Sequence, residues 1–269
     1  MEGFAADTLA LLAFAAFLAG LVDAIAGGGG LITVPVLALA GFDPASAVAT
    51  NKVNATFGTF SSTLSFLRAG HIDLAEVWPL ALTSGIGAVA GALALAYTPK
   101  DWAVLALPFI LIAVALYFAL SPKISETDAH QRISKAAFAG AVAPVIGFYD
   151  GVFGPGAGSF YLLGFIVLLG QGIVRATAHT KLLNFASNFA SLLTYAFGGL
   201  IVWKIGLMMG VCQFAGSHLG ARLAMRSGAR LIRPLLVAVA AAMALKLAAA
   251  PGHPLGAALR ALWAGIFGS

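Results

Sequence analysis

The sequence is a succession of apolar runs close to 20 residues long, divided by short polar stretches, and that pattern leaves few folds open. At about 1.5 Å of rise per helical residue, each run matches the roughly 30 Å hydrocarbon core of a bilayer. The runs predict helices at 8–26, 45–67, 76–98, 102–120, 134–151, 176–199, 204–225 and 231–249. Two shorter apolar pieces, 31–41 and 158–170, each follow a glycine-rich turn, and the tail at 254–267 is too short to span. Only 9% of residues are charged, against about 25% in a soluble domain, so a water-facing surface would have nothing to solvate it. The fold class expected is therefore all-α: a polytopic transmembrane bundle of eight to ten spans. The 15 Lys and Arg against 10 Asp and Glu lie scattered between apolar runs and form no nucleic-acid module. Cys212 stands alone, which excludes an intramolecular disulfide and a cysteine metal cluster; its apolar neighbours make it a packed core thiol. The first run follows Glu2 and Asp7 rather than Lys or Arg, so it reads as a first transmembrane helix with a non-cytoplasmic leader, not a secretory signal.

An internal duplication organises these runs. GLVDAIAGGGG from Gly20 matches GFYDGVFGPGA from Gly147 at an offset of 127, placing Asp23 on Asp150, Gly27 on Gly154 and Gly29 on Gly156. At an offset of 129, Lys52 meets Lys181, Ser62 meets Ser191, Gly70 meets Gly199, and Gly87 and Gly91 meet Gly216 and Gly220. Asp on Asp and Lys on Lys, in a chain so poor in charge, is more than the chance alignment of two apolar sequences. The expected organisation is an N-terminal repeat over 1–120, a central cytoplasmic loop at 121–135, a C-terminal repeat over 136–250 and a tail at 251–269. If the short pieces cross, one side collects Arg68, Lys123, Arg132, Lys135, Arg175, Arg222, Arg226, Arg230 and Arg233, and the other keeps Lys100 and Lys204. If they are re-entrant, the same cations split almost evenly. The positive-inside rule favours the first arrangement, in which the two repeats run with inverted topology and the central loop is cytoplasmic.

Inside the apolar runs, three features call for explanation. The breaks Gly27-Gly28-Gly29-Gly30 and Gly154-Pro155-Gly156-Ala157-Gly158 would cost a continuous helix several kcal/mol at about 1 per glycine, so they are read as built interruptions. The helix N-termini that follow them point N–H groups and positive dipole at the break. Gly87, Gly91, Gly216 and Gly220 are instead read as close helix contacts. Second, Thr180, Asn184, Asn188, Ser191 and Tyr195 recur on one helical face, and Asn51, Asn54, Gly58, Ser62 and Ser65 trace a similar stripe. Their amides and hydroxyls are donors for anionic oxygens, while Ser61, Ser65 and Thr194 at the far end read as helix glue. Third, Lys52 and Lys181 sit within these stripes, where a cation costs a few kcal/mol and marks a functional site by default. Asp23 and Asp150 are read as ion-pair partners, proton-coupling carboxylates or caps of the short helices. His179 falls near the range in which histidine titrates, yet its counterpart is Thr50; His218 is read as a hydrogen-bonded packing residue. No catalytic, metal or cofactor signature is present.

The segment GLVDAIAGGGGLITVPVLALAGFDPASAVATNKVNATFGTF from Gly20, with ATAHTKLLNFASNFASL from Ala176, resembles the TauE/SafE family of membrane permeases, often described as sulfite exporters. The resemblance runs from Leu9 to about Leu247. It implies a secondary transporter for small sulfur-containing anions, such as sulfite or organosulfonates, working by alternating access around a midplane site in the cytoplasmic (inner) membrane. It carries a binding role onto Gly27, Gly28, Gly29, Gly30, Thr50, Asn51, Lys52, Asn54, Gly154, Gly156, Thr180, Lys181, Asn184 and Asn188. The partners expected are a small anion and the lipid bilayer, with no cofactor, metal or nucleic acid. An anion channel and a non-transporting membrane assembly or support factor are the alternatives, and self-association as a homodimer stays open.

Overall fold

The computed structural model describes residues 4–97 and 130–227. The expected spans at 102–120 and 231–249, the tail, most of the central loop, and Lys100, Lys123, Arg230 and Arg233 lie outside the described residues. The described residues are helical, without a strand among them. The first half contains α1 (Ala6–Ala26), α2 (Gly30–Leu39), α3 (Pro44–Arg68) and α4 (Leu74–Tyr97). The second contains α5, which begins at Lys135–Ala137, passes through a π-helical Phe138–Val142 and continues as Ala143–Val152. It is followed by α6 (Ala157–Leu163, continued by a π-helical Gly164–Leu168), α7 (Ile173–Phe197) and α8 (Trp203–Ser227).

Local chemistry explains the ends. Asp43 accepts the amide of Ser46 at 3.2 Å and Pro44 opens α3, a side-chain cap followed by the residue best suited to the first turn. Ser134 caps α5 in the same way through the Ala137 amide. α1 stops at Gly27, whose φ of 79° lies in the left-handed region and whose amide returns to the Asp23 carbonyl at 2.7 Å. By length and composition α1 and α4 are apolar enough to cross a membrane. The helices α3, α7 and α8 are as long, at 25 residues each, but α3 and α7 carry the polar stripes that lower their hydropathy.

Backbone contacts set the helix directions. Phe17 and Leu21 of α1 lie against Gly216 and Gly220 of α8, so these helices run parallel; Val53 and Phe57 of α3 follow Gly206 and Gly210 of α8 in the same sense. Pro144 and Phe148 of α5 lie against Gly87 and Gly91 of α4, and Glu76 and Ser84 of α4 meet Arg175 and Leu183 of α7. Hence α1, α3 and α8 run one way and α4, α5 and α7 the other, with α3 and α7 crossing antiparallel at Lys52 with Asn188 and Phe60 with Phe185. Stacking of Phe4 on Phe42 returns the end of α2 to the start of α1, so α1 and α2 form a hairpin.

The contacts repeat when the halves are exchanged. Gly20 lies against Gln213 and Gly147 against Ser84; Gly87 faces Pro144 and Gly216 faces Phe17. A Cβ at any of these four glycines would stand 2.0 to 2.3 Å from a carbonyl oxygen of the facing helix, so the glycines of α4 and α8 are close-packing sites, as their spacing predicts. The two π-helical segments also meet, through Phe138 stacked on Phe165 at 5.0 Å. Cys212 is half-buried against the apolar cluster around Leu12, Val53 and Met209.

Candidate functional site

The two glycine breaks meet. A Cβ at Gly27 would lie 2.4 Å from Gly158 C, and Ser159 Oγ donates to the Ala26 carbonyl at 2.7 Å. Gly30 faces Pro155, and Gly158 faces the Asn184 amide. Only glycine permits this approach of backbone to backbone, and Gly27 and Gly154 also need their positive φ, 79° and 88°, to turn away from α1 and α5. The second break differs in detail: Gly156 is left-handed at 83°, whereas Gly29 is right-handed.

Around the breaks stand four charges, all buried: Asp23, Lys52, Asp150 and Lys181. Each lysine pairs with the aspartate of the other half. Lys52 Nζ donates to Asp150 Oδ1 at 2.6 Å, to the Asp150 carbonyl, and to Asn188 Oδ1 at 3.2 Å. Asp150 Oδ2 accepts from Ser187 Oγ. Lys181 Nζ donates to the Asp23 carbonyl, but its distance to Asp23 Oδ2 is 3.8 Å. Asp23 Oδ1 takes the Gly29 amide at 3.1 Å, and Oδ2 has no hydrogen-bond partner among the described residues. An ammonium has three donors. Among the described residues Lys52 spends all three and Lys181 spends one, so the two pairs are equivalent in sequence but unequal in saturation.

The expected stripes are buried along α3 and α7, though their members have different tasks. Asn51 accepts from Thr33 of α2, beside the first break, and Asn188 Nδ2 donates to the carbonyl and side-chain oxygens of Asn184 at 2.7 and 3.0 Å. The Asn54 carboxamide meets that of Gln213, and the Thr50 hydroxyl accepts the Val202 amide at 3.1 Å, so both tie α3 to α8 or its approach. Thr180 Oγ1, one residue from Lys181, is buried without a partner among the described residues. His179 is buried edge-on to Phe165 at 5.6 Å with Nδ1 unpartnered, and His218 Nδ1 lies 3.1 Å from Ser65 Oγ. Of the far-end residues, Ser61 bridges to the Phe214 carbonyl, while Thr194 bonds only within its own helix.

Ser187, Gln213 and Ser159 hold this centre together and were not singled out from the sequence. Their repeat mates are Gly58, Ser84 and Ile32, so no matched pair draws attention to them; Ser187 was nonetheless legible as one turn from Asn184 and Ser191 on α7. At the end of the bundle, Glu76 holds both Lys135 at 3.1 Å and Arg175 at 2.7 Å, placing those two cations together.

The family model described as sulfite exporter TauE/SafE matches residues 12–247. The chain is 50% identical over 255 residues to the probable membrane transporter protein ORF9 of Sinorhizobium sp, covering 95% of this chain and 98% of that one. It is 44% identical over 239 residues to the probable membrane transporter protein YfcA of Escherichia coli K12, covering 89% of each. A probable membrane transporter protein of Haemophilus influenzae is 41% identical over 241 residues, covering 90% of this chain and 94% of its own. No solved structure matches the chain.

Proposed function

We propose a function from one premise: the chain belongs to the sulfite exporter TauE/SafE family and is a helical membrane transporter protein. On this reading it is a multi-pass permease of the cytoplasmic membrane that exports small sulfur-containing anions, such as sulfite or organosulfonates. Its halves are inverted repeats that rock about the glycine breaks to expose the site alternately. The opposite directions of α1 and α5 support the inverted arrangement, as does the reciprocity of contacts between the halves. Lys135 and Arg175 on one carboxylate support a common, cytoplasmic side for the cations.

The observation that carries the reading is the unequal saturation of the two lysines. Two ammonium groups and two carboxylates give the centre no net charge in their ordinary ionised forms. An anion therefore enters a neutral site, which binds it weakly enough to release it. Among the described residues Lys181 has donors to give, and the buried hydroxyl of Thr180, the preceding residue of α7, has no partner. The anion docks there and draws Lys181 from Asp23. Since Lys181 belongs to α7 and Asp23 to α1, that exchange loosens a contact between the halves and links binding to rocking. Lys52, fully engaged by Asp150 and Asn188, holds the other contact.

The test is anion flux in proteoliposomes made with the intact chain and with Lys181→Ala or Lys52→Ala. Lys181→Ala is expected to abolish anion-dependent thermal stabilisation and to lower flux by at least tenfold while the protein remains monodisperse. Normal sulfite and organosulfonate flux in Lys181→Ala would refute the site.

A further inference from the structure

A groove of about 500 Å³ opens between α3 and α8, away from the glycine breaks. Arg68, His218 and Arg222 line one end, and Leu64, Phe214 and Ala215 its floor. Phe214 also borders a second, open cavity of about 490 Å³, lined by Phe57, Phe60, Phe185, Phe189 and Val211. The two adjoin at Phe214, so the surface along α3 and α8 is basic at the helix ends and aromatic beyond Phe214. Eleven residues of α8 separate Val211 from Arg222, a rise of about 16 Å, close to the ~15 Å half-thickness of a bilayer's hydrocarbon. Exposed Phe60, Val211 and Leu219 continue the apolar surface beside it.

The cations of this groove are not there to pack the helices. Exchanging the halves places Thr194, Phe197, Val89 and Leu93 where Ser65, Arg68, His218 and Arg222 stand. The corresponding crossing of α4 with α7 is made without a charge at these positions. Among the described residues, Arg68 and Arg222 enter no ion pair, and no acidic side chain lines the groove. Two arginine forks at the mouth of an apolar trench one leaflet deep match a phosphodiester with its acyl chain.

We propose that this trench binds one anionic phospholipid, its phosphate held by Arg68 and Arg222 and an acyl chain laid over Phe214 into the aromatic cavity. The site is independent of the anion path and lies in one leaflet only, because the second half lacks the cations.

The test is lipid binding by the purified full-length chain in detergent, followed by native mass spectrometry with phosphatidylglycerol, phosphatidylcholine and inorganic phosphate as probes. Phosphatidylglycerol is expected to bind in preference to phosphatidylcholine. At about fivefold per arginine, the Arg68→Gln/Arg222→Gln variant should bind it roughly 25-fold more weakly, and Arg68→Lys/Arg222→Lys, which keeps the charge but not the fork, should fall between that variant and the intact chain. Arg226→Gln removes a cation at the same end of α8 but outside the groove, and should change binding less than twofold. An equal loss in Arg226→Gln would reduce the effect to general surface charge and overturn the proposal. So would competition by inorganic phosphate at concentrations equal to the lipid, which would make this a soluble-anion site. Should the double variant not be purifiable, each single variant is read against its own fivefold expectation.

Discussion

Lys52 Nζ lies 2.6 Å from Asp150 Oδ1 and joins α3 of the first half to α5 of the second, whereas its repeat mate Lys181 stays 3.8 Å from Asp23 Oδ2. Removing one member of a buried, saturated pair strands the other charge, at about 3 to 5 kcal/mol. Asp150→Ala is therefore expected to lower the thermal midpoint in detergent far more than Asp23→Ala, whose carboxylate has a weaker hold on its lysine. Combining Lys52→Met with Asp150→Leu removes both charges and should recover much of the loss. Equal destabilisation by the two single aspartate variants would contradict the difference between the pairs.

That difference marks the limit of what the sequence shows. The offsets of 127 and 129 identify Asp23, Lys52, Asp150 and Lys181 because a charge repeated in an apolar chain stands out. They also place the glycine breaks and the close-packing glycines. The helices follow from apolar periodicity and from caps such as Asp43 and Ser134, with ends within a few residues of those observed. Which aspartate meets which lysine depends on how the halves dock, and no spacing along the chain encodes it. Repeat matching is also blind to what one half alone uses: Ser187 binds Asp150, but its mate is Gly58, and Gln213 meets Asn54, but its mate is Ser84. Thr50 and Asn54 illustrate the converse, since polar residues beside a matched lysine are spent on the approach to α8 and on α8 itself.

The breaks should be intolerant of side chains for a reason separable from backbone conformation. Gly27 and Gly41 both have positive φ, 79° and 92°, but a Cβ at Gly27 would meet the backbone of Gly158 and Ser159 within 2.5 Å, while at Gly41 nothing lies within 4 Å. Gly41→Ala should cost about 1 to 2 kcal/mol for its left-handed residue and still give a folded protein. Gly27→Ala must push the halves apart and should leave little monodisperse protein after extraction. Size-exclusion chromatography and thermal midpoints of the two variants make the comparison.

Opposite helix directions in the halves require that corresponding turns face opposite sides of the membrane. The α3–α4 turn at Gly70 and the α7–α8 turn at Gly199 are repeat mates with the same left-handed geometry, φ 75° and 66°. In a Cys212→Ala background, His71→Cys and Val202→Cys, both at exposed positions, should react with a membrane-impermeant maleimide from opposite faces of oriented vesicles. On the proposed topology, with the cations cytoplasmic, His71→Cys is expected to label from the cytoplasmic face. Labelling of both from one face would exclude inverted repeats.

For the proposed transport of an anion, the membrane potential favours export. Moving one negative charge out of a negative interior gains about 2.3 kcal/mol per 100 mV, which corresponds to about a fiftyfold concentration ratio for a monoanion. Export then needs no coupled ion, and the four buried charges, which cancel within the resting site, cross no barrier with the substrate. Efflux of sulfite from proteoliposomes should accelerate when a potassium gradient with valinomycin makes the interior negative and slow when the sign is reversed. With a permanently ionised organosulfonate as substrate, a pH gradient imposed at constant potential should leave efflux unchanged if Asp23 and Asp150 stay ionised throughout. Efflux that ignored the potential but followed the proton gradient would instead assign a carboxylate to proton coupling, and Asp23, with Oδ2 unpartnered, would be the residue to replace first.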